Sequence, residues 1–407
     1  MKAEIDTAAL LDRLARLATV GAIEGGGSAR LALSDEDKTG RDLVVGWMRE
    51  LGLSVAVDAV GNVVALRAGR EDLAPVMTGS HIDTVRTGGR YDGNLGVLAG
   101  LEFCAALDRA GLRTRRPIAV AFFTNEEGAR FQPDMLGSLA YVGGLSVAEA
   151  HAARSIDGRL LGEELRRIGY LGERPPGFVR PHAFVELHIE QGPILEAEGL
   201  TIGVVTGVQG ISWAEYALTG VSNHAGTTPM RLRRDAGYAA MAIAGGIRDL
   251  VRRFGGDQVG TVGRIELVPN LINVVAARAT FTLDLRNTDE ATLARAEAEA
   301  SALIARICAE ERVDVEKRVL ARFEPVDFDP RLIDLVAARA AARGFRHRRL
   351  PSGAGHDAQM LARICPTGMI FVPSAKGLSH NVAEFTDPAD IDAGAKVLTD
   401  VILELAA

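Results

Sequence analysis

Residues 117–123, PIAVAFF, are apolar at every position, and the run gives way at once to TNEEGARF. A strand that alternates apolar and polar residues buries one face. A strand without alternation is buried on both, as parallel strands are in a sheet covered by helices. AFVELHI at 183–189, GMIFV at 368–372 and the apolar run at 73–77 read the same way. Helical periodicity occupies residues 5–18 and 94–110, the latter with Asn94 as its N-cap, and a last helix covers 388–405. Residues 53–67 read as two short strands about Gly61. The alternation predicts an α/β sheet with helices on both faces.

Between about 208 and 322 the pattern changes. Residues 211–220 and 257–268 read as strands, and PNLINVVAARATFTLDLR as a pair of alternating strands, with helices at 233–253 and 289–308. Strand, helix, strand, strand, helix, strand is the order of a compact α+β unit. Strand–loop–helix alternation resumes afterwards. The segment is therefore read as a smaller domain, 208–322, inserted into a discontinuous one formed by 1–207 and 323–407.

Composition excludes several classes. A chain of 407 residues with 47% hydrophobic and 24% charged residues can bury sizeable cores and is not a disordered protein. A formal net charge of -7 argues against nucleic acid as the main partner. Cys104, Cys308 and Cys365 stand far apart with no CxxC pair, which fits a reducing compartment better than a disulfide framework. The N-terminal stretch lacks the basic start and apolar core of a signal peptide. No segment approaches the roughly 20 apolar residues of a membrane span. The expected location is the cytoplasm.

Open α/β sheets place their sites at strand C-termini, and polar clusters stand at those ends here. GSHIDTVRTGGRYDGNLG carries His81, Asp83 and Asp92 among glycines; Glu126 and Glu127 follow the 117–123 run; His188 lies in VELHIEQGP and His380 in GLSHNVAEFT. Three histidines, Asp92 and one glutamate are nitrogen and oxygen ligands suited to zinc and related divalent ions. Such a set is too large for one tetrahedral ion with an open position. It fits two ions that share a carboxylate and leaves room for a bridging water. Of two adjacent glutamates, one can coordinate while the other handles protons. Each piece alone has a plainer reading: a hydrogen-bonded His81–Asp83 pair, a solvated Glu-Glu loop, a satisfied core histidine at 188. Their recurrence at separate strand ends turns the balance toward one shared site. His151, His182 and His347 lack such settings. In the inserted segment, His224 sits in SNHAGTTPM, Asn273 in PNLINVV and Arg286 in LDLRNTD. Arg286 could bind a carboxylate bidentately, or equally pair with Asp284 or Asp289.

GSHIDTVRTGGRYDGNLGVL, TNEEGARF, ELHIEQGPILE, SNHAGTTPM and LSHNVAEF, taken in order, resemble the M20-type metallo-amidohydrolases. LHIEQGPILE points to their carbamoylase branch, the N-carbamoyl-L-amino-acid hydrolases, allantoate amidohydrolases and β-ureidopropionases. Peptidase and deacylase members usually carry an acidic ligand where His188 stands. The resemblance implies an α/β catalytic domain with a mixed sheet and helices on both faces, plus an inserted lid or dimerisation domain. It implies two divalent metal ions, zinc first, with manganese, cobalt and nickel as alternatives. His81 and His188 would hold one, Glu127 and His380 the other, and Asp92 would bridge them. Glu126 would be the general base, Asp83 would orient His81, and His224 would stabilise the oxyanion. Gln209, Asn273, Arg286 and the backbone at Gly353 and Gly355 would bind substrate. The Asp92–Gly93 peptide is expected to be cis. One departure, Ala276 in place of an expected proline, touches no proposed ligand.

The implied activity is hydrolysis of the carbamoyl C–N bond of N-carbamoyl-L-amino acids, a class of small ureido acids. Allantoate hydrolysis is the near alternative, and dipeptide or N-acyl-amino-acid hydrolysis a remoter one. The implied assembly is a homodimer through the inserted domain, with no nucleic-acid or membrane partner.

Overall fold

The structure is a computed structural model that describes residues 3–407. Two compact units divide the chain: residues up to Gly207 together with Asp327–Ala407, and Val208–Val326 between them.

In the first unit, β1 (Ser54–Val57) and β2 (Val63–Arg67) pair antiparallel. β3 (Val76–His81), β4 (Ile118–Phe123) and β5 (Ala183–Ile189) are buried at every residue. β6 (Ile202–Val208) follows. The strand expected at 73–77 starts later and ends later. Pro75 cannot donate to a ladder, so pairing begins at Val76 and carries on to His81. The helix Asn94–Arg109 is buried continuously from Asn94 to Leu107. It lies so close to the sheet that a Cβ on Gly96 would come within 2.6 Å of the Leu187 carbonyl oxygen. Its N-cap is Gly93, not Asn94; the Asn94 side chain instead accepts from the buried Arg30 guanidinium at 3.0 Å.

The second unit holds β7 (Gly210–Thr219), β8 (Asn223–His224), β9 (Val259–Thr261), β10 (Ile265–Val268), β11 (Val274–Val275), β12 (Arg278–Asn287) and β13 (Asp314–Phe323). The strand expected at 257–268 is two, broken at residues 262–264, and both pieces pair with β12. The sheet order is β10–β12–β7–β13 with β9 also on β12, while β8 and β11 form a separate ribbon. Burial alternates along β12, as a period of two demands when one face is core. The helices Ala236–Phe254 and Glu290–Glu311 cover that face. Ile243, Ile247, Leu293 and Ile304 pack there with Leu218, Phe281, Leu283 and Leu285. Asp235 and Asp289 cap the two helices through the amides of Tyr238 and Thr292.

The chain returns to the first unit through β14 (Val326–Asp327), β15 (His347–Ser352) and β16 (Thr367–Val372). The large sheet runs β1–β2–β4–β3–β5–β16–β6–β14, with β15 on β6. It is mixed: β3, β4, β5 and β16 are mutually parallel, and β1, β2 and β6 join antiparallel. The expected fold class, α/β with a smaller α+β insertion, is what the chain adopts. The helix Pro388–Leu405 starts on Pro388 with an Asp387 cap and leaves Ile391, Val397, Leu398, Val401 and Ile402 without exposed surface. Each contributes roughly 1.5–3 kcal/mol by burial. Four parallel strands sharing one direction put their C-terminal ends along one edge.

Candidate metal centre

That edge collects the polar clusters. His81 is the last residue of β3, and His188 the second-last of β5. Glu126 and Glu127 follow β4, and His380 follows β16. His81 and His188 are each 1% exposed. Each ring is held through Nδ1 by a backbone carbonyl, Asp83 for His81 and Ile189 for His188, both at 2.9 Å. A carbonyl only accepts, so Nδ1 carries the proton and Nε2 is the nitrogen presented to the centre. Asp83 thus orients His81 through its carbonyl. Its carboxylate oxygens take the amides of Glu126 and Glu127 at 3.3 and 3.4 Å and shape that turn.

Asp92 stands between two groups. Its Oδ1 lies 3.4 Å from His81 Nε2 and 3.2 Å from His188 Nε2; its Oδ2 lies 3.5 Å from His380 Nε2. His380 Nε2 is also 3.2 Å from Glu127 Oε2. The ligand atoms of His81, Asp92 and His188 lie within 4.8 Å of one another, as do those of Asp92, Glu127 and His380. Glu127 Oε1 is buried without a hydrogen-bond partner. A buried carboxylate oxygen with no donor is unfavourable, and a cation at this position would satisfy it. These residues fit metal binding in chemistry and arrangement. Glu126 Oε2 sits 3.5 Å from His81 Nε2, outside both groups.

Electrostatics separate the acids. Burial, joined by Asp357, Glu127 and Asp92, pushes Glu126 well above the usual carboxylate range, against the pull of His81. Burial raises Asp83 to about 6. The hydrogen bond to Glu127 raises His380 to about 9 against its own desolvation. These surroundings make the Glu126 carboxyl hold its proton more tightly than a free glutamate does.

Gly93 allows the crowding. It takes φ +66°, and a Cβ there would fall 2.4 Å from His81 Nε2. Its amide donates to His188 Nε2 at 3.1 Å. The expected cis peptide at Asp92–Gly93 is absent: the cis bonds among the described residues are Gln132–Pro133 and Val268–Pro269. The left-handed glycine makes the turn with a trans peptide.

The other expected residues fall in different places. Gly353 and Gly355 lie in the first unit, in the loop between β15 and the helix Asp357–Leu361. His224, Gln209, Asn273 and Arg286 belong to the inserted unit. His224 stands opposite Val274 on the β8–β11 ribbon, and the Asn273 carbonyl accepts the Ala225 amide at 2.8 Å. His224 Nδ1 accepts the amides of Gly226 and Thr227 at 3.0 and 3.3 Å, which leaves Nε2 as a protonated donor. Gln209 is buried between β6 and β7. Arg286 makes the ion pair with Asp284, at 3.0 Å, and stacks 5.6 Å from the Trp213 ring centroid.

Sequence reasoning missed Gln191, Ser379 and Glu384, all in contact with Asp92, and also His356. His356 is buried, its ring edge-on to His188 at 4.5 Å between centroids and its Nε2 2.9 Å from Ser352 Oγ. Its signal was there: SGAGHDA begins at a strand end, and GSHID likewise runs out of one.

An α/β unit gathering His, Asp and Glu at its strand ends, interrupted by a small α+β unit, presents the donor set of a metal-binding site. Residues 77–404 match the peptidase family M20/M25/M40, and the chain belongs to that family. The N-carbamoyl-L-amino-acid amidohydrolase of Rhizobium meliloti is 43% identical over 402 residues, 98% of this chain and 96% of that protein. The allantoate amidohydrolase of Escherichia coli is 36% identical over 404 residues, 98% of each. The crystal structure of an amidase of the hydantoinase/carbamoylase family from Burkholderia multivorans matches with a TM-score of 0.96 at 45% identity, over 99% of this chain and 98% of that one. The family resemblance read from the motifs is borne out.

Proposed function

We propose that this protein hydrolyses the carbamoyl C–N bond of N-carbamoyl-L-amino acids, giving the amino acid, ammonia and carbon dioxide. The observation that carries the reading is Asp92 facing two ligand groups with its two oxygens while Glu126 stays outside both. The name of the Rhizobium relative supplies the substrate class.

His81, Asp92 and His188 would hold one divalent ion and Asp92, Glu127 and His380 a second. Zinc is the first choice, and manganese, cobalt and nickel tolerate the same donors. Bound there, such ions polarise a carbonyl and lower the pKa of water. Glu126 takes the proton from the attacking water and returns it to the leaving nitrogen. His224 offers its Nε2–H to the oxyanion. Arg286 binds the substrate carboxylate, with Gln209, Asn273 and the backbone at Gly353 and Gly355 completing the contacts.

The inserted unit is proposed to form a homodimer. Tyr238 and Met241 on one helix are 54% and 55% exposed, and Val268 on the outer strand β10 is 55% exposed, apolar side chains that such an interface would cover. Light scattering gives the mass. The cytoplasm is the proposed location; among the described residues no helix is long and apolar enough to cross a membrane.

The test of function is ammonia release by metal-loaded protein from N-carbamoyl-L-amino acids, N-carbamoyl-β-alanine and allantoate, with dipeptides and N-acetyl amino acids alongside. Release from an N-carbamoyl-L-amino acid supports the proposal. Release from allantoate alone refutes it in favour of the second reading, which the Escherichia coli relative supports and which keeps every metal and proton role.

A further inference from the structure

One short segment grips Asp92 from both ends. Glu384 is 4% exposed, and its Oε1 accepts the amides of Tyr91 and Asp92 at 2.9 and 3.2 Å. Ser379 Oγ donates to Asp92 Oδ2 at 3.0 Å and approaches Glu384 Oε2 at 3.4 Å. Gln191 Nε2 adds a second donor to Oδ2 at 2.9 Å and one to Ser379 Oγ at 3.1 Å. A tight turn brings Ser379 and Glu384 together: Glu384 N–H donates to the Asn381 carbonyl at 3.0 Å, and Ala383 N–H to Asn381 Oδ1 at 2.9 Å. Between the two contacts the same turn presents His380, which takes φ +53°.

We infer that Glu384 is a positioning residue for Asp92, holding the carboxylate in the orientation in which its two oxygens face the two ligand groups. The inference rests on the metal-centre reading above. A carboxylate that serves two ions must be fixed in rotation as well as position. Its direction follows from its own backbone amide and from the partners of its oxygens. Glu384 fixes the amide, and Ser379 with Gln191 fixes Oδ2. Gly89 serves the same contact, since a Cβ there would lie 2.1 Å from Glu384 Cδ. The double glycine in RTGGRYD thus lets the Asp92 loop close onto this glutamate. A staple that merely closed two loops could bond any of their amides; this one bonds the amide of Asp92 itself together with that of its neighbour Tyr91.

The experiment strips the protein of metal and titrates it with Co(II), following visible absorption and competition with a chromophoric chelator. Glu384→Ala is expected to weaken binding about 10- to 100-fold and to change the Co(II) spectrum, as loss of an outer hydrogen-bond partner does at metal sites. Glu384→Gln keeps an oxygen that accepts both amides, and is expected within about threefold of the unsubstituted protein. Ser379→Ala is expected to weaken binding several-fold and is read even where Glu384→Ala does not fold. A lowered melting temperature in Glu384→Ala with unchanged affinity and spectrum would show a plain loop staple and overturn the inference. So would a Glu384→Gln variant as weak as the alanine one, because geometry would then not be what Glu384 supplies. No Co(II) binding by the unsubstituted protein overturns the metal-centre reading itself, and this inference with it.

Discussion

Replacing Glu126 by Gln removes a proton acceptor and little else. The residue is 8% exposed, its amide is held by Asp83 at 3.3 Å, and its Oε2 lies 3.5 Å from His81. The amide variant keeps the length and the backbone contact. A general base contributes about a hundredfold to ten-thousandfold, so kcat should fall at least about a hundredfold, or about 2.7 kcal/mol of barrier. Glu126 belongs to neither ligand group, so metal content should hold. Stability adds a second sign. In protein stripped of metal, burial and three neighbouring acids disfavour the ionised carboxylate, and a neutral amide escapes that cost, so the melting temperature of the stripped variant should stay level or rise. The assay is ammonia release at saturating substrate, with metal analysis on the same sample and a thermal melt on protein stripped of metal. Near-normal turnover with metal in place would refute the proton-shuttle role. Loss of metal would show that Glu126 is a ligand.

Three further outcomes are expected. Gly93→Ala would put a Cβ 2.4 Å from His81 Nε2 on a residue at φ +66°; metal analysis should find binding lost, and retention of both ions would contradict the packing described. Arg286→Lys keeps the charge but not the bidentate fork, so KM for a carboxylate substrate should rise about tenfold with kcat little changed, and an unchanged KM would remove Arg286 from substrate binding. Asp58, far from the centre in sequence and buried, is raised to about 6 by desolvation against its hydrogen bonds to Val60 and Asn62. The folded state therefore holds this proton more tightly than the unfolded chain, and stability falls as pH rises from about 4 to about 6, by an amount on the order of 3 kcal/mol. Thermal melts of Asp58→Asn should lose that slope, and an unaltered slope would assign it to another group.

The buried strands were legible because PIAVAFF, AFVELHI and GMIFV carry no polar residue apart from Glu186 and His188 in AFVELHI, and both of those are buried. Once they are parallel, their C-terminal ends must share an edge, and the residues after them must meet there. That is why His81, Glu126, Glu127, His188 and His380 could be gathered from letters alone. What escaped depends on contacts between distant loops. Glu384 meets Asp92 across 292 positions, and Gln191 meets it across 99; no local pattern marks such a pair. The break between β9 and β10 at Val262, Gly263 and Arg264 escaped because apolar residues stand on both sides of it, and the strand split is decided by where each piece pairs along β12. Spacing allowed Arg286 to pair with Asp284 or to bind a ligand, and the ion pair is present in the structure.

The place of β16 has a consequence for how the chain is made. β16 lies between β5 and β6, yet β5 ends at Ile189, β6 at Val208, and β16 begins only at Thr367. The ribosome therefore releases both neighbours long before the strand that joins them. The contiguous unit Val208–Val326 can close first. Until β16 arrives, β5 and β6 each keep an unpaired edge, the kind of surface on which nascent chains aggregate. The segment that follows the inserted unit both seals the sheet and delivers His380, so a nascent chain cannot complete the centre before β16 has been made.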